Sequence, residues 1–351
     1  MSSLTETAYY TRRAVNWTIL GVIAYFVLRI LWSIIVIIWL MIFPPQQALP
    51  NHAFGRLPAL QFPTQATPSA QISYTLQTIE GSVPTASSSA TVYFMPKSAA
   101  NLLALTNTED FATKMQFDPT PIQESKNIYR FNDADYPLRS LRYDIVSSNF
   151  IVRYTFERDL SIFTEKNLPD DNGAKTEATT LLESNGLYPS DFNGGPITVS
   201  YLKLSGIQLA PGRSLSDSDA LRVDFFRNLI GDTPVVAPIP DEGPISIIIS
   251  GSSNPRKRII QFAYTYWPID YQTTATYPLI TSSQAWSELQ QGQGYIAHYP
   301  DNTTTAVVRN VYLAYYDTYD PQTYLQPVFV FSGDNNFIAY VPAVMSDWTE
   351  Q

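Results

Sequence analysis

The chain has 351 residues, 45% hydrophobic and 15% charged, with a net charge of −9. It has no cysteine and two histidines, which excludes disulfides, thiolate zinc sites, cysteine nucleophiles and any catalytic or metal cluster built on several histidines. Three basic residues and one acidic residue precede Pro44, so the remainder carries −11, a charge that nucleic acid and anionic lipid repel.

The first element is an apolar run from Ala14 to Phe43 with one charge, Arg29. At ~1.5 Å per helical residue it reaches about 45 Å, against a bilayer hydrocarbon core of ~30 Å. It ends in "IFPPQQ" without a small-x-small cleavage pattern, which predicts an uncleaved signal anchor. Pro44 and Pro45 stop the helix because they lack the N–H it needs. Arg12 and Arg13 precede the run, and Arg56 is the base that follows it closely. The excess of positive charge on the first side places residues 1–13 in the cytoplasm and the large domain outside it. A cysteine-free exported domain is expected of a bacterial cell envelope.

Arg29 has two readings. Its long stem can snorkel to the cytoplasmic interface. Alternatively, at ~100° per residue, Thr18, Tyr25, Arg29, Trp32 and Ser33 fall within roughly 60° of one another. Such a polar stripe is what one membrane helix presents to another. The two readings are compatible.

Residues 44–70 are rich in proline and poor in charge, which predicts an extended tether. The apolar residues of "FGRLPALQFP" predict that part of it docks. From Ile72 the pattern changes to short alternating segments. "QISYTLQTI" and "SATVYFM" read as two strands joined around Gly81 and Pro84, "LRYDIVSSNFIVRYTFERDL" as a strand pair, and "ISIIISGSSNPRKRIIQFAYTYW" as a hairpin. The basic cluster "NPRKR" reads as a charged hairpin turn.

Helices are predicted at "NTEDFATKMQF", at "AKTEATTLLESNG" with Gly186 as its C-cap, and at "SSQAWSELQQGQG" with Ser282 or Ser283 as its N-cap. Each precedes strands, giving a helix-then-meander unit over roughly 72–160, 170–270 and 278–345. The expected class is α+β: a transmembrane helix, then antiparallel sheets each packed by one short helix. The expected division is an N-terminal unit at 71–165 and a C-terminal region of two units at 166–351.

The C-terminal third, "YPLITSSQAWSELQQGQGYIAHYPD…VRNVYLAYYDTYDPQTYLQPVFVFSGDNNFIAYVPAV", resembles YycI/YycH-type regulatory ectodomains and PepSY-like modules. The matching residues are Pro278 to Ser282, Ala285, Leu289, Val311 to Tyr316, Leu325 to Phe331 and Ala339 to Ala343. "TEATTLLESNG" with "VDFFRNLIGDTPVV" resembles the preceding unit of those families. The resemblance implies a single-pass protein whose outer domain binds another protein, such as a sensor kinase, partly through the membrane helix. It implies no catalytic residues. The extra N-terminal unit and the proline-rich tether depart from the pattern.

Enzyme signatures are thin. His298 sits beside Asp301 in a predicted strand end, and His52 lies in the tether; neither has the context of a catalytic triad. No phosphate loop or zinc spacing occurs. Asp170, Asp171 and Asn172, and Asp217 and Asp219, cluster oxygens without the spacing of a calcium loop, so they read as solvated turns or helix caps. Tyrosine is concentrated in "FAYTYWPIDYQTTATY" and "YLAYYDTYDPQTYLQP". Aromatics at alternate strand positions either pack the core and pair across strands or form a binding face. Such a face would include Tyr266, Trp267, Tyr315, Tyr319 and Tyr324. The resulting expectation is a membrane-anchored protein-interaction domain, without cofactor or nucleic-acid partner, that regulates a membrane or envelope protein. The alternatives are a surface module that binds glycan or peptide and, third, an envelope hydrolase.

Overall fold

A computed structural model describes residues 4–42, 50–64, 72–99, 101–301 and 303–350. Part of the predicted tether, 44–49 and 65–70, lies outside the described residues, as do the first three of the cytoplasmic tail. The chain divides into two compact units, Met1–Leu49 and Pro50–Gln351.

The first unit is helix α1, Leu4–Ile42. Within it Trp17–Val36 has a mean hydropathy of 2.4 over 20 residues, none of them buried. That stretch is long and apolar enough to cross a membrane, although a signal sequence has the same length and composition. Thr18, Tyr25, Arg29, Trp32 and Ser33 are all exposed. Ser33 donates its hydroxyl to the Arg29 carbonyl one turn back (3.0 Å), a bond that satisfies a hydroxyl within its own helix.

The second unit begins with strands β1 (Ser73–Leu76) and β2 (Ser89–Phe94). Helix α2 (Ala104–Lys114) then precedes β3 (Ile122–Gln123), β4 (Ile128–Asn132), β5 (Arg139–Asp144) and β6 (Phe150–Tyr154). Helix α3 (Asp171–Asn185) precedes β7 (Ile197–Ser205), β8 (Gln208–Pro211), β9 (Ala220–Phe225), β10 (Val235–Val236) and β11 (Ile245–Ser250). A turn of helix, α4 (Pro255–Arg258), leads to β12 (Ile259–Tyr264) and β13 (Asp270–Pro278). Helix α5 (Ser282–Gln290) precedes β14 (Tyr295–His298), β15 (Thr305–Tyr316), β16 (Tyr324–Gly333) and β17 (Ile338–Pro342).

The class is α+β, as expected. One sheet has nine strands in the order β3-β4-β5-β6-β12-β11-β9-β7-β8. The "LRYDIVSSNFIVRYTF" pair is β5–β6, and the "ISIIIS" hairpin is β11–β12. Strand β12 buries Phe262 and Tyr264 on one face, and a register shift against β11 turns Ile260 to the other. Strand β11 is buried at nearly every position because both faces of the sheet are covered. On one face α2 (Ala112) and α3 (Ala174, Ala178, Leu182) share a core with Phe131, Val152, Ile247 and Phe262. On the other, Phe156, Ile162 and Phe163 pack over Tyr154 and Ile260. The expectation of one helix per sheet is therefore corrected: β6 pairs with β12, fusing two helix-then-meander units into one sheet that carries two helices.

Asp170 caps α3 by accepting from Gly173 N (2.8 Å), and Gly186 closes it with a left-handed φ of 70°. The basic cluster is a hairpin turn, and each of its bases is tied to a different part of the fold. Arg256 meets Asp133, Lys257 meets Asp159 (2.7 Å), and Arg258 grips both oxygens of Glu177 (2.8 Å each). The bond from Lys257 is the leading cause that holds the Asp159 carboxyl below the usual carboxylate range.

The other sheet has eight strands. Its main path is β1-β15-β16-β17-β14, with β10 added to β15 and β2 lying between β13 and β16. Ala285 and Leu289 of α5 are buried against it with Phe329, Phe331 and Val341. The N-cap of α5 is Thr281, one residue before the predicted pair, and it forms a reciprocal capping box with Gln284. Thr281→Ala is expected to cost about 1 kcal/mol, seen as a lower urea midpoint with an unchanged slope.

Strands β1 and β2 exist, but the hairpin expected between them does not. β1 runs parallel to β15 (Ser73↔Thr305 to Leu76↔Val308), and β2 pairs with β13 and β16. Alternation marks a strand without choosing its partner. Residues 72–94 thus belong to the carboxyl-terminal sheet, and a boundary near 165 does not follow the sheets. The described part of the tether docks, as "FGRLPALQFP" predicts. Leu57 is fully buried and exchanges main-chain bonds with Trp348 and Glu350 (2.8 Å each). His52 stacks on Trp348 at 3.6 Å, and Phe62 on Tyr295 at 5.0 Å.

Candidate functional site

The two sheets meet at Arg227, just past the end of β9. Its side chain is almost fully buried. Nε donates to Asp317 Oδ2 (2.5 Å), Nη1 to Asp191 and Nη2 to the Trp267 carbonyl. The guanidinium lies 5.0 Å from the centre of the Tyr266 ring and 5.3 Å from that of Phe192, so it is held by charge and by two aromatic faces. Asp191 comes from the segment after α3 and Asp317 from the residue after β15. The triad therefore joins the nine-stranded sheet to the eight-stranded one. Beside it, β10 pairs with β15 in parallel at Val235↔Tyr315 and Val236↔Tyr316.

The charges do not balance. One guanidinium faces two carboxylates, and Asp191 Oδ1 and Asp317 Oδ1 are buried without a hydrogen-bond partner among the described residues. Burial pushes the Asp317 carboxyl up, against the pull of Arg227. Burial alone would lower the Arg227 pKa; Asp317 and Asp191 reverse this and raise it.

A second buried acid, Asp224, lies on β9 three residues before Arg227. Asp224 accepts from Gly243 N (2.9 Å) and Arg222 Nε (3.0 Å). Gly243 is required there: a Cβ on it would sit 2.4 Å from the Phe225 carbonyl oxygen. Burial pushes the Asp224 carboxyl up to about 6 despite Arg222. Arg222 continues to Glu242 (2.9 Å), whose carbonyl accepts from the Tyr319 hydroxyl (2.6 Å).

The predicted aromatic residues gather here in part, but they do not form one open face. Tyr266 lies against Arg227, and Trp267 donates its indole N–H to the Tyr319 carbonyl (3.1 Å). Tyr315 is buried, donates to the Thr91 carbonyl (2.9 Å) and packs edge-on against Tyr93 at 5.4 Å. Tyr324 lies apart, stacked on Phe54 at 4.7 Å. Trp267, Tyr315 and Tyr319 each donate to a main-chain carbonyl, which satisfies the polar end of a buried ring. This is the geometry of a joint.

The residues that carry the joint's charge were not singled out by sequence reasoning. The signal was present in "LRVDFFRNL", where an acid and an arginine interrupt an apolar strand. A buried charge must be paired, but the pairing crosses 90 residues from Arg227 to Asp317 and has no local trace. His298 sits at the end of β14, and its Nδ1 is buried without a partner among the described residues; neither it nor His52 joins Asp317 or Asp191.

No family model and no curated protein matches the chain. Among solved structures, the crystal structure of an uncharacterized protein from Eubacterium rectale ATCC 33656 is similar over 76% of this chain and 86% of that one, at 13% sequence identity and a TM-score of 0.39.

Proposed function

We propose that α1 anchors this chain in a membrane and that the folded unit works outside the cytoplasm by binding another envelope protein. The observation that carries this reading is the Trp17–Val36 stretch, with a mean hydropathy of 2.4 and no buried residue. In water so much exposed apolar surface is unfavourable; in lipid it is not. Arg12 and Arg13 before the stretch favour a cytoplasmic amino terminus. The stripe Thr18, Tyr25, Arg29, Trp32 and Ser33 is the proposed contact with a second membrane helix, and a regulatory partner such as a sensor kinase fits the family resemblance.

Carboxyl-terminal fusions test the topology. An alkaline phosphatase fusion is expected to be active and a green fluorescent protein fusion dark, and the reverse pattern defeats the assignment. Crosslinking in native membranes tests the partner. Arg29→Leu is expected to abolish a crosslinked species while leaving the protein in the membrane fraction. A species unchanged by Arg29→Leu and by replacement of the whole span would remove the helix from the interaction.

A further inference from the structure

The edge of β15 carries a gap. β1 covers its first part, ending where Gln77 N donates to the Val308 carbonyl (2.9 Å). β10 covers its end, where Pro234 and Val236 carbonyls accept from Tyr315 N (2.8 Å) and Asp317 N (2.9 Å). Between them, among the described residues, no strand pairs with Arg309 to Ala314 on this side. At ~3.3 Å per residue the gap is about 20 Å long.

The register shows which groups face it. Pairing with β16 shifts between Val308 and Asn310, so Arg309 forms a bulge, pinned by its ion pair with Asp334 (2.6 Å). Beyond the bulge the N–H groups alternate. Tyr315 N points to β10, so Leu313 and Val311 point the same way, into the gap. Proteins usually cover or blunt such an edge. Here the segment after β1 stands off from it instead. Thr78, Ile79, Glu80 and Pro84 line, together with residues 309–312 of β15 and Ser332 of β16, a groove of about 550 Å³. Ile79 is fully exposed and Tyr312 is 39% exposed.

We infer that this groove binds an extended segment of a partner polypeptide, added to β15 in parallel between β1 and β10. Only a polypeptide main chain matches a row of alternating N–H and C=O groups. The strands on either side already pair with this edge in the parallel sense, which sets the direction. A gap closed at both ends excludes the long edge strand of a second folded copy, which would meet β1 and β10. Arg309 is neutralised by Asp334, whereas Glu80 makes no salt bridge among the described residues. The segment should therefore carry apolar residues at alternate positions and one basic residue opposite Glu80. This names the kind of partner for the interaction role proposed above, and rests on it.

The probe is a displayed library of random peptides, selected on the full chain in detergent micelles. Selected peptides are expected to alternate β-branched or aromatic residues and to carry a base. On binding, the Val311 and Leu313 amides should become protected from hydrogen exchange. N-methylation of the peptide should weaken binding at every second residue and leave the intervening ones unaffected. Val311→Pro removes one edge N–H without touching the ladder to β16 and should weaken binding by at least about tenfold, a change of ~1.4 kcal/mol. If that variant fails to fold, the N-methylation series alone decides. No enrichment, unprotected amides or a series without alternation overturns the inference. A partner crosslinked in membranes that leaves both amides exchanging would uphold the anchored-interaction reading and overturn this one.

Discussion

Arg227→Met is expected to destabilise the folded unit by about 3–5 kcal/mol, because removing one partner of a buried ion pair leaves an uncompensated charge. Here it would leave two, Asp191 and Asp317, each almost fully buried and each already short of one hydrogen bond. The measurement is urea unfolding at neutral pH. A second arm separates charge from packing. Adding Asp191→Asn and Asp317→Asn to Arg227→Met removes both charges and should recover much of the loss. A single variant within about 1 kcal/mol of wild type, the scale of an exposed pair, would show that the triad is solvated and that the sheets are joined by apolar contacts alone.

Asp224→Asn should change the pH dependence of stability between about pH 4 and pH 6. With its folded pKa raised from 3.8 to about 6, Asp224 holds a proton in the folded state where the unfolded chain has lost it. Stability therefore falls as pH rises from about 4 to about 6, and the full effect of this one group is about 3 kcal/mol at ~1.4 kcal/mol per pKa unit. The amide cannot titrate, yet its oxygen can still accept from Gly243 N. The difference in unfolding free energy between wild type and variant should move in favour of wild type by that amount as pH is lowered through the window. Parallel curves would mean that Asp224 titrates like an exposed carboxylate. Asp159 works in the opposite sense. Its lowered pKa contributes stability that is present above the ordinary carboxylate range and lost as acid protonates it, which is why the test is a comparison and not the wild-type curve alone.

What could be read from the sequence was local. The β5–β6 and β11–β12 hairpins, the three helices and the Gly186 cap each depend on residues a few positions apart, and period and turn chemistry locate them. The partners of β1 and β2 were misassigned because alternation is silent about which edge a strand will join. The capping residue of α5 was missed by one position, since Thr281, Ser282 and Ser283 are all good caps and only the Gln284 side chain selects among them. The aromatic residues were found, with core packing and a binding face both left open. Whether an aromatic ring's polar end faces solvent or a carbonyl depends on Thr91 for Tyr315, Glu242 for Tyr319 and Tyr319 for Trp267, each far away in sequence. The triad itself depends on such distant residues throughout.

The pairing of β1 with β15 also affects the order of events when the chain is made. Ser73 and its neighbour Thr305 are 232 residues apart, and Leu57 closes against Thr349 at the far end. A chain that emerges amino end first must hold β1 and β2 unpaired while both fused helix-then-meander units are synthesised; β2 gains its first partner when β13 appears, and β1 only when β15 does. Long-range parallel pairing of this kind is slow and leaves edges open to wrong partners. The nine-stranded sheet, whose strands all lie between residues 122 and 264, has no such wait. Folding should thus proceed from the middle outward, with the eight-stranded sheet completed last by the first strands to have been synthesised.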